Sequence, residues 1–218
     1  EQENNTGYAN RSIGNVQLDY KFHFLPELHA NLNVGYDVSK SHGTDILPPT
    51  MASVYTLKGT TSKYWQNKQN KLMDFYFNYV KDITRISSRI DATAGYSYQD
   101  WIRDEPAVEY VSGLGNDPKR NPTKTQNTLI SYFGRLNYTF MDRYVLTGTI
   151  RTDGSSRFSP ENRWGVFPSG AVAWDIKQEP FIKASKAVSQ LKLRVGYGKT
   201  GQQDVTDNDY PYLAGYNR

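Results

Sequence analysis

The chain has 218 residues, a net charge of +4 from 26 Lys and Arg against 22 Asp and Glu, no cysteine, and 14% aromatic residues including 17 Tyr. No apolar run approaches the roughly 18 residues of a membrane-spanning helix, so helical insertion is excluded, and the missing cysteines exclude disulfides and thiolate metal sites. The basic residues are scattered with no stripe or recognised module, which argues against nucleic acid as a partner.

Alternation dominates the chain. Between residues 15 and 24, Val16, Leu18, Tyr20, Phe22 and Phe24 alternate with Gln17, Asp19, Lys21 and His23. Side chains on a strand point to opposite faces in turn, so this pattern predicts a strand with one apolar and one polar face. Leu25, Pro26 and Glu27 interrupt it, and a second strand follows with Leu28, Ala30, Leu32, Val34, Tyr36 and Val38 on its apolar face. The stretch 39–70, with Gly43, Pro48, Pro49 and Gly59, reads as a long polar loop.

A third strand is predicted over 71–81, with Met73, Phe75, Phe77 and Tyr79 on one face, although Leu72, Tyr76 and Val80 fall on the other. A tight link at 82–85 leads to a fourth, where Ile90, Ala92, Ala94, Tyr96 and Tyr98 oppose Arg89, Asp91, Thr93, Gly95, Ser97 and Gln99. A loop is expected over 100–125. The fifth strand sets Ile130, Tyr132, Leu136, Tyr138 and Phe140 against Ser131, Arg135, Asn137 and Thr139. Met141-Asp142 links it to a strand with Tyr144, Leu146 and Ile150 on the apolar face. After a polar loop at 153–163 comes a strand with Trp164, Val166, Val172, Trp174 and Ile176 on its apolar face. A longer link, 177–190, has no evident role, and a last strand carries Leu191, Leu193, Val195 and Tyr197.

The fold class expected is therefore all-β, with about eight antiparallel strands in up-and-down order forming part of a transmembrane β-barrel wall. Two features favour the membrane over a soluble sandwich. Strands of about ten residues exceed the five or six usual in sandwiches, and short breaks alternate with long loops, as in outer-membrane barrels.

DRYVLTGTIRTDGSSRFSPENRWGVFPSGAVAWDI, followed by LKLRVGYGKTGQQD, resembles the barrel of SusC/RagA-type TonB-dependent transporters. NRSIGNVQLDYKF, FLPELHANLNVGYD and KLMDFYFNYVKD are similar to earlier barrel segments of that family. The likeness runs over most of the chain, and the combination DGSSRF…NRWGVFPS is its most specific part. The resemblance implies a barrel of about 22 strands filled by a plug, in a Bacteroidetes-type Gram-negative outer membrane. It also implies import of oligosaccharides or peptides through the TonB complex, with a SusD-like lipoprotein as lid and outer-membrane lipids as surroundings. Residues 1–218 would be one part of the barrel domain, without plug, TonB-contacting segment or C-terminal strands, because both ends read as loop interiors.

No pattern points to an enzyme or a cofactor. His23, His29 and His42 lack a third ligand at a telling spacing and read as polar-face residues. Asp100, Asp104 and Glu105 read as solvated loop acids rather than a glycosidase pair. Arg151, Asp153, Arg157, Glu161 and Arg163 are the candidate lumen or solute contacts, with self-neutralisation at the barrel mouth as the simpler account. Tyr64, Trp65 and Trp101 are candidates to stack on sugar rings or to join the interfacial girdle. A soluble carbohydrate-binding or adhesion module is the alternative to the transporter barrel.

Overall fold

The computed structural model describes residues 3–106, 108–115, 122–203, 210 and 212–213. Nine strands form one sheet: β1 (Asn4–Lys21), β2 (Leu28–Leu47), β3 (Thr60–Ile83), β4 (Ser88–Glu105), β5 (Glu109–Ser112), β6 (Thr123–Phe140), β7 (Tyr144–Ser155), β8 (Trp164–Asp175) and β9 (Lys192–Gly198). Their order is β1-β2-β3-β4-β6-β7-β8-β9, with β5 attached to β3. All registered pairs are antiparallel. The up-and-down all-β architecture expected from the alternation is thus observed, with one extra short strand.

Burial runs opposite to that of a soluble protein. Among the described residues Val54 is the one buried hydrophobic, whereas Asn31, Thr60, Ser88, Ser97, Asp100, Ser112, Asn127, Ser131 and Ser155 are buried polar residues. Leu146 is 55% exposed, as are comparable fractions of Ile150, Val172, Leu136 and Val195. Register assigns these to one face: Tyr144 lies opposite Trp174, Leu146 opposite both Val172 and Tyr138, and Ile150 opposite Pro168. Arg135 opposite Thr149, Asn137 opposite Thr147 and Arg151 opposite Phe133 lie on the other face. A contiguous apolar surface of this kind requires a partner, and for strands of this length that partner is hydrocarbon.

Aromatic rows mark the limits of the apolar band. Tyr96 packs on Tyr132 and Tyr132 stacks on Trp164, with ring centroids 5.3 and 6.2 Å apart. At the other limit Phe140 stacks on Tyr144 and Tyr144 on Trp174, at 6.3 and 6.4 Å. From Tyr132 to Phe140 is eight residues, roughly 27 Å along the strand. A tilt of about 40° brings this near 20 Å, close to the roughly 25 Å band of outer-membrane barrels.

Three expectations are corrected. The stretch 39–70 is mostly strand, since β2 continues to Leu47 and β3 begins at Thr60, leaving a short connection with a 3-10 turn at Tyr55–Leu57. Residues 4–10, read as loop interior, belong to β1, and Asp100–Glu105 and Thr123–Thr125 belong to β4 and β6. The strands were underestimated because the apolar–polar alternation stops well before the ladder does. A strand of 24 residues such as β3 is about twice what a bilayer needs, and outside hydrocarbon no face must be apolar. The imperfect alternation of β3 also has a cause. Tyr76 turns to the polar face to pack on Phe133, 6.4 Å away, where Gly95 leaves room, since a Cβ on Gly95 would collide with both rings' side chains. The terminal loop read at 207–218 lies mostly outside the described residues.

The chain forms two compact units. The first comprises Glu1–Asn15, Gly35–Leu72 and Gln99–Asn127. Within it Arg11 grips Asp37 with two bonds of 2.8 Å, and β5 extends β3 from Thr60↔Ser112 to Lys63↔Glu109. The second comprises Val16–Val34, Met73–Tyr98 and Thr128–Arg218 and holds the tight turns. Backbone bonds join neighbouring turns there: Val80 N–H to Glu27 C=O, Met141 N–H to Ser87 C=O, and Asp175 N–H to Arg143 C=O, at 2.9, 2.7 and 2.7 Å. The β6–β7 turn has positive φ at both Met141 (51°) and Asp142 (55°), as a type I′ turn requires, and Arg143 N–H closes it on Phe140 C=O at 3.1 Å.

The link after β8 is a clasped strap. Lys177 Nζ donates to the carbonyls of Ile182, Lys183 and Ser185 at 3.2, 3.1 and 2.6 Å, capping the one-turn helix α1 (Pro180–Lys183). Glu179, 7% exposed, is the anchor. Its carboxylate accepts Tyr144 Oη at 2.7 Å and Trp174 Nε1 at 3.0 Å on one oxygen, and Arg143 Nη1 at 3.2 Å on the other. The Tyr144 hydrogen bond, then that of Trp174 and the Arg143 charge, hold the Glu179 carboxyl below the ordinary carboxylate range, against the opposing effect of burial.

Two outcomes are expected. Leu146→Arg destabilises the assembled barrel by roughly 2–4 kcal/mol, while Thr147→Arg, on the polar face, is tolerated; unfolding titrations of the refolded barrel in lipid check this, and the reverse ranking would mean the faces are inverted. Because folding lowers the Glu179 pKa, its stabilisation is present above the unfolded value of about 4.3 and fades as pH falls through the lower folded value. The stability of Glu179→Gln should therefore fall short of the parent's at neutral pH and converge with it in acid, as read from urea midpoints across pH.

Candidate functional site

The polar face is a lattice of short cross-strand bonds. Strand residues two apart share a face, and this places Arg151 beside Asp153, with Ser131 opposite Asp153 on β6. Arg151 Nε donates to Asp153 Oδ1 at 2.7 Å and its Nη2 to Ser131 Oγ at 2.8 Å, with Ser131 only 1% exposed. Elsewhere in the second unit, Ser97 Oγ donates to Asp74 at 2.6 Å and Asn78 Nδ2 to Asp91 at 2.9 Å. Neutral donors thus satisfy many of the carboxylates, which keeps the wall polar without large isolated charges.

The candidates of the 151–163 segment separate into three environments. Arg151 and Asp153 form the pair just described. Arg157 is buried, and its backbone N–H donates to Ser155 Oγ at 3.3 Å, while Glu161 sits exposed in the 3-10 turn Pro160–Asn162. Arg163 lines a cavity of about 360 Å³ with Asp153, Ser155, Phe158, Trp164, Phe167 and Gln203. Of these lining residues, Arg163 and Gln203 each also hold one buried polar atom, Nε and Oε1, without a hydrogen-bond partner. The lining sets aromatic rings beside the polar groups of Asp153, Ser155 and Arg163, a mixture that suits a guest with both apolar and hydrogen-bonding surface.

The aromatic candidates lie in the first unit. Tyr64 lies across the backbone at Gly43, where a Cβ would collide with the phenol. Tyr64 and Trp65 line a cavity of about 270 Å³ with Gln66, Arg103, Glu105 and Val108. There Gln66 Nε2 and Arg103 Nε both donate to Glu105 Oε1, at 2.6 and 2.7 Å. Trp101 lines a separate cavity of about 370 Å³ with Ile13, Asp37, Asn70 and Leu72.

Gln66, Arg103, Phe158, Phe167 and Gln203 escaped the sequence reading. For Gln66 and Arg103 the parity of each strand is the available signal, although the polar composition of their segments reads as loop. Asp100 and Glu105 are corrected likewise: they belong to β4, and Asp100, 3% exposed, accepts Gln126 Nε2 at 2.9 Å rather than lying solvated in a loop. His29 Nδ1 lies 2.9 Å from Asp19 Oδ1, and His42 stacks on Tyr8 at 5.5 Å. Among the described residues no cluster of three or more His, Cys, Asp or Glu is arranged to hold a metal ion.

Comparison with known proteins bears on the whole chain. The profile of the family described as TonB dependent receptor-like, beta-barrel matches residues 1–217. TonB-dependent receptor SusC of Bacteroides thetaiotaomicron is 38% identical over 99% of this chain and 22% of its own length. TonB-dependent receptor P3 of Formosa agariphila is 30% identical over 90% of this chain and 20% of its own. The chain therefore spans about a fifth of the length of the curated relatives it matches. Among solved structures, the RagAB peptide transporter superposes with a TM-score of 0.82 at 19% identity, covering 95% of this chain and 24% of that one.

Ser131→Ala removes a hydrogen bond to a charged group and should cost about 1.5–3 kcal/mol, less whatever solvent supplies to the half-exposed Arg151. The shift of the unfolding midpoint measures this, and an unchanged midpoint would show that Arg151 is held by Asp153 alone.

Proposed function

The chain belongs to the TonB-dependent receptor-like β-barrel family, in its SusC/RagA branch, and from that premise we propose that it forms part of the wall of an outer-membrane active importer. In this reading the cargo is an oligosaccharide or a peptide, uptake is driven through TonB, and a SusD-like surface lipoprotein covers the mouth. The observation that carries it is the inverted burial of the sheet, with an exposed apolar band between two aromatic rows and a hydrogen-bonded polar face. That arrangement disfavours the soluble-module alternative, whose strands would bury their apolar side. The wall is the share of these 218 residues; the plug, the TonB contact and the remaining strands belong to other parts of a longer protein.

The polar face supplies the contacts to cargo or plug. Arg151 and Asp153 saturate each other and act as wall. Arg157 and Glu161 hold and edge the loop between β7 and β8. Arg163, Tyr64, Trp65 and Trp101, each lining a cavity, are the residues assigned to touch cargo. The RagAB structure is of a peptide transporter, which supports peptides as one of the two cargo classes.

The test is growth of cells carrying the complete importer on a single nutrient, either an oligosaccharide mixture or a peptide mixture. Deleting the importer should remove growth on one of the two, and loss of TonB should have the same effect. Arg163→Ala should lower uptake of that nutrient by roughly tenfold, the value of one hydrogen bond of about 1.4 kcal/mol, at unchanged barrel level. Uptake indifferent to TonB would sink the reading.

A further inference from the structure

The strap after β8 is drawn toward the apolar face. Tyr144 and Trp174 belong to that face, directly opposite each other in register, and both donate to Glu179. The anchor of the turn therefore sits at the aromatic row, with Arg143 of the β6–β7 turn on its second oxygen. What the strap presents there is unusual for a turn. Phe181 is 74% exposed, and Lys183 and Lys186 are exposed with no ion pair among the described residues. Lys177 is spent on three carbonyls inside the strap, so it contributes rigidity and no outward charge.

We propose that the segment 180–186 is a membrane-interface anchor, with the Phe181 ring seated among phospholipid headgroups of the leaflet at the tight-turn end and Lys183 and Lys186 on lipid phosphates. Three considerations fix the occupant. The segment is continuous with the apolar band through Tyr144 and Trp174, so lipid already reaches its edge. An aromatic ring flanked by lysines is the composition that partitions into the headgroup layer, where the ring is half desolvated and the ammonium groups reach phosphate. The hydrogen-bonded clasp prepays the ordering of the segment, so insertion costs little further entropy. The inference rests on reading the strands as membrane-embedded.

The experiment uses the complete importer reconstituted into vesicles of phosphatidylethanolamine and phosphatidylglycerol, with an environment-sensitive fluorophore attached at Ala184→Cys. Ala184 is exposed and follows α1, so Phe181 stays in place. The emission should be shifted to the blue and quenched by lipids spin-labelled near the headgroup, more than by lipids labelled near the chain end. Adding Phe181→Ser or Glu179→Gln should return the emission to its water value, and Lys183→Gln with Lys186→Gln should remove the dependence on phosphatidylglycerol. A second label at Leu146→Cys reports the strands, and quenching there by the deep spin label shows that the barrel is embedded. Deep quenching at 146 with water-like emission at 184 overturns the anchor while leaving the barrel reading intact. Absence of quenching at 146 overturns the barrel reading itself. Blue-shifted emission at 184 that no spin-labelled lipid quenches would mean that protein covers the segment, and this too overturns the anchor.

Discussion

A peptide group in hydrocarbon has no water to bond, so each strand in the apolar band must give all its N–H and C=O groups to its two neighbours. Everything else in this sheet accommodates that demand. Register between β6, β7 and β8 runs without interruption for eleven or twelve residue pairs, and the ladder continues into β9. Once the backbone is spoken for, the side chains divide by face, with hydrocarbon on one side and polar groups on the other. The result reverses the usual partition, and among the described residues a serine rather than a leucine is the most deeply buried side chain.

A polar face of this kind has its own problem, since carboxylates close together repel and desolvated ones are costly. The wall answers with cross-strand amide and hydroxyl donors, as at Asp74, Asp91 and Asp100, and with arginine at Asp37, Glu105 and Asp153. Cavities interrupt the lattice at several places, among them the Arg163–Gln203 cavity beside the β7–β8 loop and the Tyr64 cavity beside Glu105.

The legible part of the sequence was the part inside the membrane. Tyr144, Leu146 and Ile150 must be apolar because lipid touches them, and their parity, strand direction and facing were readable from spacing alone. Residues 39–47 and 60–70 continue the same ladders, yet nothing there forces alternation, so the chain looked like loop. Glu179 was invisible for a different reason. A carboxylate in an irregular link has no periodicity to betray it, and its three donors come together only when β7 and β8 pair. The cavity-lining role of Phe167 and Gln203 depends likewise on where a loop folds back.

The pairing order carries a consequence in time. Apart from β5, each strand bonds to the strand that precedes it in the chain, so the loops to be closed are short and each hairpin offers one free edge for the next. Such a sheet can grow by successive addition, like a zip, without any partly assembled stage having to reopen. β5 follows the same rule one step on, since it resumes the track of β4 along β3 after the break at Pro106, pairing Glu109–Ser112 with Thr60–Lys63 just beyond the Gln66–Glu105 contact. The β3–β4 hairpin therefore closes from its turn outward, and β5 is the last stretch of that same closure, fastened only after the bonds nearer the turn are made.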